Sequence, residues 1–281
     1  VTYFGLLAAF IVPPALVLMI LVPRDVWHWL IKRQGQVEWL PYLAILTHIV
    51  IALVYTTPWD NYLVATKVWW YNPNLVTGIT LGWVPIEEYT FFIVQTLLVG
   101  LWMLALRRFV FKARPRVAPS RAIRQWAGIG VFLLWLASTL ALLLGWRPGT
   151  YLTLILSWAL IPVLIQFAFG ADILLAEWRR LIPAIAAPTL HLWLVDALAI
   201  ESSTWTIDPA QTTGIKLGPL PMEEMLFFLM TNVIISFGIT LMLSGERKQR
   251  AQAILDHLAR MLPNRPETRM TAHLPSHTEK V

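Results

Sequence analysis

Long apolar runs broken by short polar segments set the pattern of this chain. Seven runs stand out, at 4–22, 39–57, 84–106, 126–145, 151–170, 181–200 and 220–243. Each is close to the ~20 apolar residues needed to cross a hydrocarbon core of ~30 Å. The expected fold is therefore all-α: a polytopic membrane protein with seven transmembrane helices. Pro13 and Pro14 fall inside the first run and predict a kink there. No basic segment precedes that run and no small-residue cleavage pattern follows it, so it reads as a span rather than a signal peptide. The segments 60–83, 172–180 and 201–219 read as polar connections. Past the last run, 251–262 spaces Ile254, Leu258 and Met261 as a helix would, which suggests a helix on the membrane surface, and from Pro263 onward the composition predicts disorder.

The polar pattern repeats. VPIEEYTFF at 84–92 returns as LPMEEMLFF at 220–228: Pro85 and Pro221, Glu87 and Glu223, and Phe91 and Phe227 are each 136 residues apart. The same offset relates Asp60 to Asp196, Trp69 to Trp205, Pro73 to Pro209, and Thr77-Gly78-Ile79 to Thr213-Gly214-Ile215. Self-similarity at one fixed offset is the mark of duplication. Here it predicts two repeats, 1–106 and 151–243, joined by a basic linker and one connecting helix (107–150) and followed by a tail (244–281). The first spans of the repeats lie four helices apart, so both repeats insert in the same direction. That distinguishes them from the inverted repeats of many transporters.

Composition supports this reading. The chain is 57% hydrophobic and only 14% charged, against roughly 25% charged in a soluble domain. It has no cysteine, which excludes disulfides, thiolate metal sites and cysteine nucleophiles. The net charge of +6 does not point to nucleic acid, because the basic residues gather in loops between spans. Arginines crowd the segments after the first, third and fifth runs and the start of the tail. By the positive-inside rule those segments, and the C-terminus, are expected to be cytoplasmic.

The chemistry is expected at the doubled acidic pairs. Proline at a helix start with glutamate in the first turn is an ordinary helix beginning. These pairs, however, lie at a membrane boundary, where ionisable groups are costly, and they occur twice with two phenylalanines just inward. Glu88 shares a helix face with Phe91 and Phe92, and Glu224 with Phe227 and Phe228, while Glu87 and Glu223 point about 100° away. One glutamate of each pair is thus expected to face a cavity and the other to bind backbone donors or a partner. Burial among rings disfavours a charged carboxyl, as does a second carboxylate, while a helix amino terminus favours it. Where burial prevails, the pocket holds a general acid among aromatic faces that stabilise a cation. That combination suits protonation of an alkene and guidance of the carbocation.

At this point the sequence resembles the membrane-embedded lycopene cyclase family, whose domains occur as paired bacterial subunits and as fused archaeal, bacterial and fungal proteins. The residues that carry the resemblance are Trp59-Asp60-Asn61-Tyr62, Trp69, Pro73, Gly78, Pro85, Glu87, Glu88, Phe91 and Phe92. The second half supplies Asp196, Trp205, Pro209, Gly214, Pro221, Glu223, Glu224, Phe227 and Phe228. The halves differ where Asp196-Ala197-Leu198 replaces Asp60-Asn61-Tyr62 and where Glu201 stands opposite Ala65. The resemblance implies a redox-neutral isomerisation in carotenoid biosynthesis, with the linear ψ ends of lycopene closed to β-ionone rings. It implies Glu88 and Glu224 as acid or base, with Glu87 and Glu223 as their partners. Asp60, Asp196, Trp69, Trp205, Phe91, Phe92, Phe227 and Phe228 are expected around the substrate. The expected partners are the linear carotenoid, membrane lipid and other enzymes of the pathway.

No cofactor or metal is expected. The sequence lacks the Gly-rich dinucleotide motif, and His48 and His191 do not sit at metal-ligand spacing, so both are expected to be structural. Rival readings are an ε- or C50-cyclase or a hydratase, which share the protonated end group, a proton-coupled transporter, and a retinal-type receptor. The last needs a lysine within the final span, and 220–243 has none.

Overall fold

The computed structural model describes residues 1–23, 25, 26, 37–111 and 118–261. Its helices follow the apolar runs. Seven are long and apolar enough to cross a membrane: α1 (Tyr3–Leu21), α2 (Trp39–Ala65), α3 (Ile86–Val110), α4 (Arg121–Leu143), α5 (Thr150–Ala176), α6 (Trp178–Glu201) and α7 (Met222–Met242). They lie in one unit, Val1–Ser244. A second unit, Gly245–Val281, contains α8 (Arg247–Met261), which takes in the helix expected from 251; the disorder expected from Pro263 lies outside the described residues.

Two expected connections turn out shorter. Asp60 does not begin a loop but sits in the last turns of α2, which continues to Ala65. The segment read as a charged loop at 172–180 is almost entirely helical, with only Glu177 between α5 and α6. Gly170 does break the helix, at φ −165° and ψ 42°, but as a kink inside α5. The buried Asp172 is paired across to the start of α4: Arg124 lies 3.1 Å away and the Ser120 backbone N–H donates to it, as does that of Ile173. A paired carboxylate with backbone donors tolerates burial that a lone one does not.

The prolines explain a recurring interhelical contact. Proline cannot accept its place in the ladder and frees the carbonyl four residues earlier. In α1 the ladder widens into a π-helical turn at Leu7–Ile11 ahead of Pro13 and Pro14, which is the form the expected kink takes. The carbonyl of Phe10, four before Pro14, accepts a 2.9 Å hydrogen bond from His191 Nε2 of α6. In α5, Pro162 frees the carbonyl of Trp158, which accepts Tyr55 Oη of α2 at 2.9 Å. Tyr55 and His191 are 136 residues apart. Helix α2 thus bonds to the proline break in α5, and α6 to the proline break in α1.

The connections are not featureless loops. Strand β1 (Trp69–Tyr71) pairs antiparallel with β4 (Trp205–Ile207), and Trp70 lies opposite Thr206, the position 136 residues later. Two small hairpins, β2–β3 (Thr80–Leu81, Val84–Pro85) and β5–β6 (Lys216–Leu217, Leu220–Pro221), lead into α3 and α7. Their two-residue loops, Gly82-Trp83 and Gly218-Pro219, place a glycine first with φ of +70° and +61°, as a type II′ turn requires. Helix α4 packs along α5, with Ser138 as its buried residue. The core lies between α1, α2, α3, α5, α6 and α7, with β1 and β4 closing one end.

Candidate active site

The hairpins decide what each glutamate of a pair can do. Pro85 and Pro221 are the extended residues from which α3 and α7 start, so both acidic pairs fall in a first turn. Glu87 turns back toward its own hairpin, where the N–H of Thr77 donates to Oε1 at 2.6 Å. Glu223 does the same, accepting from Thr213 N and from Thr213 Oγ1 at 2.7 Å each. Both are fully buried. The Thr-Gly-Ile segments preceding the helices are shaped to make this bond.

Glu88 and Glu224 point the other way, into a single cavity. Its wall includes Tyr3, Trp69, Tyr71, Phe91, Asp196, Trp205, Phe227 and Phe228, with Leu6, Leu7, Ile11, Leu192 and Val195 completing it. Tyr3 Oη donates to Glu88 Oε2 at 2.6 Å, and Tyr71 Oη donates to the same oxygen at 3.0 Å. Tyr151 Oη donates to Glu224 Oε1 at 2.8 Å. Asp196 is fixed by Trp205 Nε1 at 2.9 Å and lines the same cavity as Glu224. The Tyr71 phenol, which lies outside the spans, is pushed well above its ordinary value by burial and by the Glu88 carboxyl beside it.

Aromatic rings line the wall and pack behind it. Trp59 stacks on Trp158 at 4.6 Å and on Phe227 at 5.7 Å. Tyr3 meets Trp205 at 4.9 Å, and Phe91 meets Phe228 edge-on at 6.1 Å. Among the described residues no group of three or more histidine and acidic side chains is placed to hold a metal ion. Of the residues singled out in the sequence, the fold brings Glu88, Glu224, Asp196, Trp69, Trp205, Phe91, Phe227 and Phe228 to one wall. Glu87 and Glu223 are held away by their hairpins, and Phe92 lines a neighbouring cavity. Asp60 is buried beneath the wall with neither carboxyl oxygen hydrogen-bonded, unlike Asp196.

A family model for lycopene cyclase matches residues 2–106 and 148–243, more than half of the chain and every residue of this wall. The chain belongs to the lycopene cyclase family. Among its relatives, a lycopene beta-cyclase of Halobacterium salinarum is 42% identical over 196 residues, covering 68% of this chain and 78% of that protein. A bifunctional lycopene cyclase/phytoene synthase of Aspergillus oryzae is 37% identical over 203 residues, covering 71% of this chain and 34% of the relative. The corresponding protein of Colletotrichum graminicola is 39% identical over 208 residues, 71% of this chain and 35% of that one. The chain thus spans about a third of the length of these fungal relatives. No solved structure matches it.

In this lycopene cyclase family member, three site residues escaped the reading of the sequence: Tyr3, Tyr71 and Tyr151. A gapped comparison finds two of them. Thr2, Tyr3 and Pro14 lie 148 residues before Thr150, Tyr151 and Pro162, an offset hidden because the loop between the first two spans differs in length. Tyr71 has no such signal, since the matching position is Ile207.

Proposed function

We propose that this chain closes the linear ψ ends of lycopene to β-ionone rings by acid-catalysed, redox-neutral cyclisation. The observation that carries this reading is the meeting of Glu88 and Glu224 in one ring-lined cavity, each held on one oxygen by a phenol. A carboxylic acid delivers its proton to C2 of the terminal C1=C2 bond and leaves a cation at C1. The C5=C6 electron pair then forms the C1–C6 bond and moves the cation to C5. A carboxylate removes the C6 proton, and the released pair restores C5=C6. One proton enters and one leaves. Glu88 and Glu224 divide the roles of acid and base, and Trp69, Trp205, Phe91, Phe227 and Phe228 turn π faces toward the cation. Glu87 and Glu223 position their neighbours through the hairpins, and Asp60 and Asp196 support the wall from behind and beside it.

The architecture fits two parallel repeats, 1–106 and 151–243, about a local dyad. Trp70 opposite Thr206, and Gln95 bonded to Thr231 136 residues on, both lie where such an axis would pass. The basic linker and α4 then serve as the connection. By the positive-inside rule the arginine-bearing ends of α3, α4 and α6 are cytoplasmic in the cell membrane, as is the tail, and the acid cavity lies in the opposite half of the bilayer. Lipid and other enzymes of carotenoid synthesis are the expected neighbours.

Expression in a colourless host that accumulates lycopene tests the reading. Chromatography is expected to show cyclic carotenoids with the wild-type chain and loss of at least about a hundredfold with Glu88→Gln or Glu224→Gln, the usual scale for a general acid or base. Linear lycopene alone, from protein shown to be folded in the membrane, would overturn it. Loss of the C4 proton in place of the C6 proton would give an ε ring, which the same chromatogram separates.

A further inference from the structure

A second cavity lies directly beyond the first, and Phe227 belongs to the wall of both. It runs between α2, α3 and α7, past His48, Ala52, Phe92, Gln95 and Ile235. From Phe227 to Ile235 is eight residues of α7, or about 12 Å toward the middle of the membrane at 1.5 Å per residue. Its outer edge is Ile51, 45% exposed on the flank of α2, so the cavity reaches the surface that faces lipid.

Several polar groups on this wall are turned to one another or to backbone, while the buried Trp158 Nε1 has no hydrogen-bond partner. Tyr55 Oη donates to the Trp158 carbonyl, and Gln95 Nε2 to Thr231 Oγ1 and Asn232 Oδ1. Thr231 Oγ1 donates to the Phe228 carbonyl, and the His48 ring bonds the Ala44 carbonyl. Most of what remains toward the cavity is hydrocarbon and ring. That surface suits a mostly hydrocarbon occupant, and it leads from the lipid to the two glutamates. The two cavities hold about 40 and 50 Å³. Each is more than the ~10–15 Å³ a water needs but far less than a ring and chain need together. Passage therefore requires the Phe227 ring to swing.

We propose that this second cavity is the entry path and seat of the polyene chain: a linear isoprenoid enters from the bilayer beside Ile51, and its end group passes Phe227 to reach Glu88 and Glu224. The inference rests on the cyclase reading above, but its tests can fail separately. The first uses two substrates with the same ψ end, lycopene and a polyene truncated to less than half its length. Ala52→Trp, which fills the second cavity without touching the first, is expected to lower kcat/KM for lycopene about tenfold or more and to leave the short substrate within about twofold. Ile161→Trp, on the exposed face of α5, is expected to change neither. Unchanged turnover of lycopene by a folded Ala52→Trp, or equal loss with both substrates, overturns the path.

The second test needs no catalysis and so holds even if Ala52→Trp misfolds or the cyclase reading fails. The chain has no cysteine, so Ala52→Cys carries the single thiol. In phospholipid nanodiscs, added lycopene is expected to slow its alkylation by N-ethylmaleimide severalfold, while Ile161→Cys is unaffected. Equal rates with and without lycopene, or a position 52 that never reacts, overturns the proposal. In the first case the cavity is filled by lipid acyl chains; in the second it is sealed from the bilayer. Protection without any ring product would leave the path standing and refute the cyclase reading.

Discussion

A buried carboxyl does what its hydrogen bonds leave it free to do, and adjacent glutamates in this chain have different fates. Glu87 and Glu223 each tie down the segment before a hairpin, so removing either side chain deletes a hydrogen bond to a backbone N–H at a cost of about 1 kcal/mol. Glu223→Ala and Glu87→Ala are expected to lower thermal stability by that scale, read as a fall in melting temperature in detergent. Glu87→Gln, which keeps an acceptor oxygen for Thr77, is expected to lose less. Tyr3 and Tyr151 hold the cavity-facing glutamates. Tyr3→Phe and Tyr151→Phe are expected to reduce the rate of ring formation by about ten- to a hundredfold while protein levels in the membrane hold, since each deletes one hydrogen bond to a charged or reacting group, worth about 1.5–3 kcal/mol. Equal rates in the wild type and both variants would remove the phenols from the mechanism.

Tyr71 adds a pH dependence with a definite sign. Its phenol is raised in the folded protein by burial and by Glu88, against an ordinary value of 10.0. The unfolded chain therefore releases this proton first, and the stability that Tyr71 contributes is present below pH ~10 and falls as the pH rises above it. Melting temperature measured from pH 8 to 11 is expected to drop at the alkaline end, and Tyr71→Phe is expected to flatten that drop.

At the scale of elements, turns and prolines do more than end helices. The hairpins before α3 and α7 are alike in backbone but not in surroundings. A Cβ at Gly82 would collide with the side-chain oxygen of Asn61, whereas one at Gly218 meets open space. Both substitutions suffer the strain of positive φ, so Gly218→Ala is expected to cost about 1 kcal/mol and Gly82→Ala clearly more. Differential scanning of the two variants separates these terms. The second half of each acidic motif was legible as a helix start, because proline and first-turn glutamates suit one. The strands were not, because ladders of two or three residues carry no periodic signal. The extension of α2 past Asp60 was hidden too: an aspartate at a helix end reads as a loop unless its burial is known.

The whole molecule is held by exchanges between its halves. Tyr55 reaches the carbonyl freed by Pro162, His191 reaches the one freed by Pro14, and β1 pairs with β4. No half completes the cavity wall, since Glu88 and Tyr71 come from one and Glu224 and Asp196 from the other. Separately expressed fragments 1–120 and 121–281 are therefore each expected to be inactive, with ring formation restored on co-expression. Activity from one fragment alone would place the chemistry within a single half.

Much was fixed along the chain before any tertiary contact. Hydrocarbon thickness dictates the length of an apolar run, so seven spans could be counted from composition, and the recurring motif set Glu87, Glu88, Glu223 and Glu224 in matching frames. Helical spacing further required that the members of each pair diverge. Which member faces the cavity was decided only by folding, because that depends on where a hairpin delivers a backbone N–H. The same holds for the phenols. Tyr3 and Glu88 are 85 residues apart, and Tyr151 and Glu224 are 73 apart, distances over which no local rule acts. Packing α1 and α5 against the starts of α3 and α7 brings them within one hydrogen bond. The sequence supplied acids at a membrane boundary; the meeting of two distant halves made them one site.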